Sequence, residues 1–296
     1  MDYVLHLLVI VLLYGMVALS LNVASGYTQL ISLAHAGFFG VGAYTTAILA
    51  TRFGWPMWVN MLVAIALAGV IALPLAVVAL RTVEDYFILC TMGMGAVLFS
   101  IMNNWIDVTR GPMGIPGIPA VSFFGRPVIA KWEWVLLAAV FYVAMFGIAR
   151  NLSRSAFGRL LLAISEDEIL CQSFGKNVGL AKLQSFVLGA MLAAVPGVLY
   201  AHYVSFIDPT SFTIQESIFL LTITIVGGLG NLWGSLAAAA FLTLLPEALR
   251  FVGLPGGSAS NVRQIIYGVL LIAVVTQLRS GKGVWEKAVD VIAKRG

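Results

Sequence analysis

The sequence has few charged residues and very few cysteines. Of its 296 residues, 10% are charged and 60% are hydrophobic, whereas about 25% of the residues in soluble domains are charged. This scarcity of charge excludes an ordinary soluble protein and indicates an integral membrane protein. The two cysteines, Cys90 and Cys171, give neither a disulfide framework nor a metal-ligand spacing, and we expect no functional role for them.

Motifs for nucleotide binding and for catalysis are also missing. The run Gly227-Gly228-Leu229-Gly230 joins two apolar segments and lacks GxGxxG spacing, and Ser280-Gly281-Lys282-Gly283 lacks the flanking residues of a phosphate loop. The three histidines are scattered, and the basic residues lie between apolar runs rather than on one face, which excludes a nucleic-acid footprint. We therefore expect no catalytic residue, no cofactor, no metal and no nucleic acid partner, and any ATP-driven work falls to another subunit.

Long apolar runs make up most of the chain. A run of about 20 apolar residues is long enough to cross a bilayer as a helix. We place such runs near residues 4–24, 30–50, 57–80, 86–104, 132–149, 183–203, 214–228, 232–250 and 263–279. The sequence therefore predicts an all-α, polytopic transmembrane bundle of about 8 to 10 spans, in a single domain over residues 1–296.

The distribution of basic residues predicts the orientation of this bundle. The first run follows Asp2 with no preceding lysine or arginine, and we interpret it as a retained anchor with an outer N-terminus. With nine alternating spans, eleven lysines and arginines fall in cytoplasmic segments and six in outer ones. This asymmetry places residues 150–182 and the tail 280–296 in the cytoplasm. If 214–228 only enters and returns, one end of the chain changes sides.

Residues 150–182 form a polar island that holds eight of the thirty charged residues. Within it, Ser165 and Glu168 have the spacing of a capping box, and Glu166 and Asp167 add carboxylates at the positive end of a helix dipole. Gly175 is suited to the left-handed residue that ends a helix.

We therefore predict a helix from Glu166 to Phe174, bounded by Ser165 and Gly175. At ~1.5 Å per residue it is far too short to cross a bilayer. It is expected to lie at the membrane surface.

Two segments are rich in small residues, 32–44 (SLAHAGFFGVGAY) and 227–240 (GGLGNLWGSLAAAA). Such segments allow helices to pack closely, and they also occur in broken helices around a transport path. Both interpretations stay open, and together the segments favour a path. The candidate path residues are Ser32, His35, Phe38, Phe39, Tyr44, Tyr86, Phe87, Gly228 and Gly230. For His35 a structural neutral imidazole is the alternative, and for the aromatic residues it is packing.

Five stretches of the sequence resemble one family of membrane proteins. They are 26–47 (ending SLAHAGFFGVGAYTTA), 81–88 (RTVEDYFI), 109–119 (TRGPMGIPGIP), 158–178 (GRLLLAISEDEILCQSFGKNV) and 208–234 (with DPTSF, ES and VGGLGNLWG). In this order they resemble the LivM-type permease subunits of branched-chain amino acid ABC importers. The resemblance implies import, multi-pass location in the bacterial cytoplasmic (inner) membrane and substrates chosen by a binding protein.

The resemblance also implies partners and a role for the polar island. The partners would be a second, similar permease subunit, two ATP-binding subunits, an extracytoplasmic substrate-binding protein and the lipid bilayer. The island is similar to the coupling loop that contacts the ATPase. We expect Ile169, Leu170 and Phe174 to fill a groove on that subunit, with Glu166, Asp167 and Arg159 at its rim.

Three alternatives stay open. The substrate could be urea, an amide or an aromatic acid rather than a branched-chain amino acid. A secondary transporter would need coupling-ion ligands at the membrane midplane, for which the chain has too few carboxylates. An intramembrane enzyme would need a nucleophile with a base or a metal cluster.

Overall fold

The computed structural model describes residues 2–28, 30–79, 84–123 and 126–251, together with 268, 269 and 272. Its helices are α1 (Asp2–Leu21), α2 (His35–Phe53), α3 (Met57–Ala79), α4 (Glu84–Asn104), α5 (Ile106–Thr109), α6 (Lys131–Arg154), α7 (Ala156–Glu166), α8 (Glu168–Ser173), α9 (Val178–Val204), α10 (Ile214–Gly227) and α11 (Leu232–Phe251). A π-helical segment (Asn22–Gly26) extends α1. Four two-residue strands are β1 (Ile115–Pro116), β2 (Ser122–Phe123), β3 (Arg126–Pro127) and β4 (Phe206–Ile207).

The all-α, polytopic fold is confirmed. Each of the first eight predicted apolar runs corresponds to a helix, and the ninth, 263–279, lies almost wholly outside the described residues. Within the described residues, five helices are long and apolar enough to span a membrane: α1 with its π-helical extension, α3, α4, α6 and α9. α10 has 14 residues, about 21 Å of helix, which is shorter than the apolar core of a bilayer.

α2 lies at the centre of the bundle, packed against α3, α4 and α9. It begins at His35 rather than near residue 30, because hydroxyl groups bind the backbone of the preceding segment. The Thr91 hydroxyl accepts from the Leu33 N–H (3.1 Å), and the Ser32 hydroxyl accepts from the Ala34 N–H (3.3 Å). Most of α2 is buried in protein. The helix can therefore contain polar residues that would be unfavourable in a helix facing lipid.

Small residues bring α2 and α9 into backbone contact. A β-carbon on Gly42 would overlap the carbonyl oxygen of Ala194, and one on Gly197 would overlap that of Phe39. Gly227 and Gly234 bring α10 and α11 together in the same way. Close packing therefore accounts for glycines in both of the small-residue segments.

The bundle has two distinct ends. One end, here called the docking end, contains the π-helical end of α1, the last turn of α6, α7, α8, the start of α9 and the α10–α11 turn. At the opposite end, β1 pairs antiparallel with β4, and the Lys131 ammonium lies 3.4 Å from the Asp2 carbonyl oxygen. The cytoplasmic location of the docking end stays a prediction.

Candidate functional site

The polar island folds as an elbow of two helices, α7 and α8, whose corner is Asp167. The Asp167 backbone is extended (φ −152°, ψ 102°), so it ends α7 and starts α8. Its N–H donates to the Ala163 carbonyl at 3.0 Å, and its carboxylate accepts from the Leu170 N–H at 2.9 Å. Asp167 is therefore the N-cap of α8.

The predicted capping box was wrong. Ser165 lies inside α7, where its hydroxyl donates to the Leu162 carbonyl at 2.7 Å, and Glu168 contacts Lys182 instead of the Ser165 backbone. The reason is that α7 continues through Glu166 on its own buried face, Leu161 and Ile164. The short helix consequently runs from Glu168 to Ser173 and not from Glu166 to Phe174.

The predicted end of the short helix is confirmed. Gly175 has a left-handed backbone (φ +72°), which glycine adopts without a steric penalty. Its N–H donates to the Gln172 carbonyl at 2.9 Å, and the Lys176 N–H donates to the Cys171 carbonyl at 3.2 Å. These bonds satisfy carbonyls that a helix end would otherwise leave free. Both ends of α8 are thus closed by hydrogen bonds.

One face of α8 is attached to the bundle. Cys171 is buried in an apolar cluster with Tyr27, Leu161, Ile164, Val178 and Ala181. The Lys182 ammonium lies 2.5 Å from a Glu168 carboxylate oxygen, and its side chain is only 11% exposed. These contacts join α8 to α7, to α9 and to Tyr27, which directly follows the π-helical segment.

The other face of α8 presents apolar side chains to solvent. Ile169 is 77% exposed, Leu170 53% and Phe174 75%. Ile169 and Leu170 in α8, with Phe174 directly after its last residue, form an exposed apolar patch of the kind that marks an interaction site. Glu166 and Asp167 are exposed beside them, and their role at the rim of a partner contact stays a prediction.

Arg159 lies away from this apolar patch. It is in the first turn of α7, and its guanidinium donates to the Arg154 carbonyl at 2.8 Å. Its role at the rim of a partner contact stays a prediction.

Hydrogen bonds connect the π-helical end of α1 to the α10–α11 turn. The Asn22 side chain is fully buried. Its carbonyl oxygen accepts from the Gly230 N–H at 2.7 Å, and its amide donates to the Ser235 hydroxyl at 2.8 Å. Gly228 and Gly230 both have positive φ in this turn, +89° and +80°.

The candidate path residues fall into two packed aromatic clusters and three outlying positions. His35, Phe38 and Phe87 surround Phe186 with edge-on ring contacts, and Ser32 lies 3.2 Å from the His35 imidazole. A second cluster holds Phe39 and Tyr44 against Phe212. Tyr86 is exposed and belongs to neither cluster, whereas Gly228 and Gly230 lie in the α10–α11 turn. Within this chain the clustered residues are core residues, and their role in a path stays a prediction.

Comparison with known proteins identifies the family. The family described as "Branched-chain amino acid transport system / permease component" matches residues 3–275. The chain belongs to this permease family. It is 30% identical over 262 residues to the high-affinity branched-chain amino acid transport system permease protein LivM of Escherichia coli K12, covering 81% of this chain and 62% of the relative. No solved structure matches the chain.

Further relatives of this permease extend the comparison. The E. coli K12 permease protein LivH, of a high-affinity branched-chain amino acid transport system, is 23% identical over 90% of both chains. The autoinducer 2 import system permease protein LsrC of Enterobacter sp. is 28% identical over 79% of this chain and 67% of the relative. With its apolar helices, this family member is a multi-pass protein of the inner membrane.

Four residues of the permease were not predicted as parts of the site. Cys171 of α8 packs in one apolar cluster with Tyr27, Lys182 pairs with Glu168, and Asn22 bonds to the α10–α11 turn. The position of Cys171, between exposed Leu170 and Gln172 on a short helix, was the available signal. The other three make contacts with residues distant in sequence, and no local pattern indicates them.

Proposed function

We propose that this chain is the transmembrane permease subunit of an ATP-driven importer, and that α8 is the helix on which an ATP-binding subunit acts. The observation that carries the proposal is the two-sided structure of α8, with one face attached through Cys171 and the Glu168–Lys182 pair and the other exposing Ile169, Leu170 and Phe174. The family membership supports transport rather than enzymatic chemistry.

Movement of α8 has a continuous route into the membrane part. Cys171 packs in the same cluster as Tyr27, which follows the π-helical segment directly. Asn22, at the start of that segment, is bonded to Gly230 in the α10–α11 turn. π-Helical turns frequently occur at functional positions of helices, and we infer that this one is the joint through which α1 and the α10–α11 turn move together.

We further propose branched-chain or related amino acids as the substrate. The LivM and LivH relatives carry that substrate class in their names. LsrC is named for autoinducer 2, so the fold itself accommodates different cargo and a separate binding protein is the simplest source of selectivity. Competition of labelled leucine uptake by valine, isoleucine, urea, acetamide and benzoate tests this: only the branched-chain amino acids should compete.

The same comparisons support the proposed subunit composition. Two different permease proteins of the E. coli system, LivM and LivH, are both similar to this chain. We therefore propose a pair of similar permease subunits, two ATP-binding subunits and an extracytoplasmic binding protein. Co-purification of the tagged chain from its native membrane should recover all of them.

The double variant Leu170→Glu/Phe174→Glu tests the coupling role. Two carboxylates on the apolar patch should uncouple ATP hydrolysis from uptake, with uptake reduced at least tenfold in reconstituted vesicles. The matched control is Leu180→Glu, because Leu180 is also half-exposed at the docking end but lies in α9. Normal uptake by the double variant, or equal loss in the control, contradicts the proposal.

A further inference from the structure

A second candidate site lies beside the elbow of α7 and α8. A cleft of about 650 Å³ opens between the last turns of α6 and the α10–α11 turn. The residues that carry the argument are Tyr27, Phe146, Arg150, Ser153, Arg154 and Trp233. None of the lining residues belongs to α8, so the cleft is separate from the apolar patch of Ile169, Leu170 and Phe174.

Positive charge is concentrated at this cleft. Arg150 and Arg154 are four residues apart in α6, and neither forms an ion pair with a residue in the part of the chain that the structure describes. Like charges at this spacing repel each other, although the helix dipole offsets part of the cost. Arg159 does not line the cleft, although its guanidinium donates to the Arg154 carbonyl. The cleft is therefore suited to an anion, because guanidinium groups match the oxygens of phosphate.

Neutral polar groups complete the lower wall of the cleft. Ser153 and Asn231 line it together with Tyr27. Burial raises the pKa of Tyr27, while a hydrogen bond with Ser153 works in the opposite direction. The phenol therefore stays protonated at neutral pH and adds no negative charge that would oppose an anion.

The upper wall of the cleft is aromatic. Phe146 packs on Trp233 with a ring-centroid distance of 4.7 Å, and Trp233 is 68% exposed. Further up α6, Leu136, Val140 and Val143 are exposed, as residues facing lipid tails are. Tryptophan is enriched where tails meet headgroups. An anion bound here therefore has an apolar surface above it, which a soluble phosphate would not use.

We propose that this cleft binds the phosphate headgroup of an anionic phospholipid, with Arg150 and Arg154 on the phosphate and an acyl chain along Phe146 and Trp233. Basic pockets between helices on the cytoplasmic side of membrane proteins bind such headgroups. The exposed apolar side chains of α6 favour a lipid over an acidic segment of a protein partner.

Native mass spectrometry of the purified full chain tests this proposal. The probes are short-chain phosphatidylglycerol, phosphatidylcholine with the same chains, and inorganic phosphate. Wild type should retain phosphatidylglycerol preferentially, and Arg150→Gln/Arg154→Gln should weaken its binding by roughly fivefold per arginine removed. The charge-matched control, Lys131→Gln/Lys176→Gln, removes two positive charges outside the cleft and should bind like wild type.

A second readout does not depend on the arginine variant folding. Phosphatidylglycerol with brominated chains should quench the fluorescence of Trp233, measured as the difference between wild type and Trp233→Phe, more strongly than brominated phosphatidylcholine.

Three results would overturn the proposal. They are equal binding of both lipids, competition by inorganic phosphate as strong as that by lipid, and release of bound phosphatidylglycerol when the ATP-binding subunit is added. The second would assign the cleft to free phosphate, and the third would assign its arginines to the protein partner.

Discussion

α2 and α8 depart from the usual distribution of polarity in opposite ways. α2 buries a histidine and two threonines at the centre of a membrane bundle, with His35 and Thr46 fully inaccessible. α8 and the residue after it expose Ile169, Leu170 and Phe174 in the polar island of residues 150–182. The difference shows that polarity alone does not assign a role. α2 is enclosed by its own chain, although the His35 Nε2 and the Thr46 hydroxyl have no hydrogen-bond partner among the described residues, whereas α8 lacks a covering surface within the described residues.

The largest effect is expected from filling the contact between α2 and α9. Gly42→Val would place side-chain atoms on the carbonyl of Ala194, and neither backbone can move without displacing the other. Overpacking typically costs about 1–3 kcal/mol and occasionally more, and we expect a melting temperature lower by many degrees, or no folded protein. The control is Gly147→Val in α6, where an added β-carbon meets nothing within 4 Å. Equal melting of the two variants would contradict the central position of α2.

The next effect concerns the link between α1 and the α10–α11 turn. Asn22→Leu removes the acceptor of the Gly230 N–H and the donor to Ser235. An unsatisfied buried group costs about 1–3 kcal/mol, so melting should fall by several degrees and transport by more than stability explains. Asn104→Leu is the control, because Asn104 bonds only to Ser100 of its own helix among the described residues. If transport fell only in proportion to the loss of folded protein, the link would be structural alone.

The smallest effect distinguishes the two candidate caps of α8. Asp167→Ala removes the acceptor of the Leu170 N–H and should cost about 1 kcal/mol of helix stability, which lowers the ratio of uptake to ATP hydrolysis severalfold. Ser165→Ala should have no measurable effect, because that hydroxyl bonds within α7. A larger loss in the Ser165 variant would restore the predicted capping box and contradict the observed elbow.

Much of the fold could be predicted from apolar runs, because a bilayer requires helices of known length. The same runs could not indicate that α2 is central. His35 and Gly42 of α2 pack against residues of α9 that are distant in sequence, and no local pattern indicates those contacts. Gly175 was predictable because a left-handed helix end favours glycine locally. The cap at Asp167 was not, because Ser165, Glu166 and Asp167 all suit a helix start, and the burial of Leu161 and Ile164 decides among them. The Glu168–Lys182 pair spans fourteen residues of sequence and depends on the elbow itself.

The central claim is that the exposed face of α8 contacts an ATP-binding subunit. Photo-crosslinking from a benzoylphenylalanine at position 174, in the transporter assembled in its native membrane, tests it most directly. We predict a covalent adduct with the ATP-binding subunit from position 174, and a much weaker one from the same probe at position 180 in α9. Equal adducts from the two positions, or no adduct with that subunit from position 174, would contradict the account.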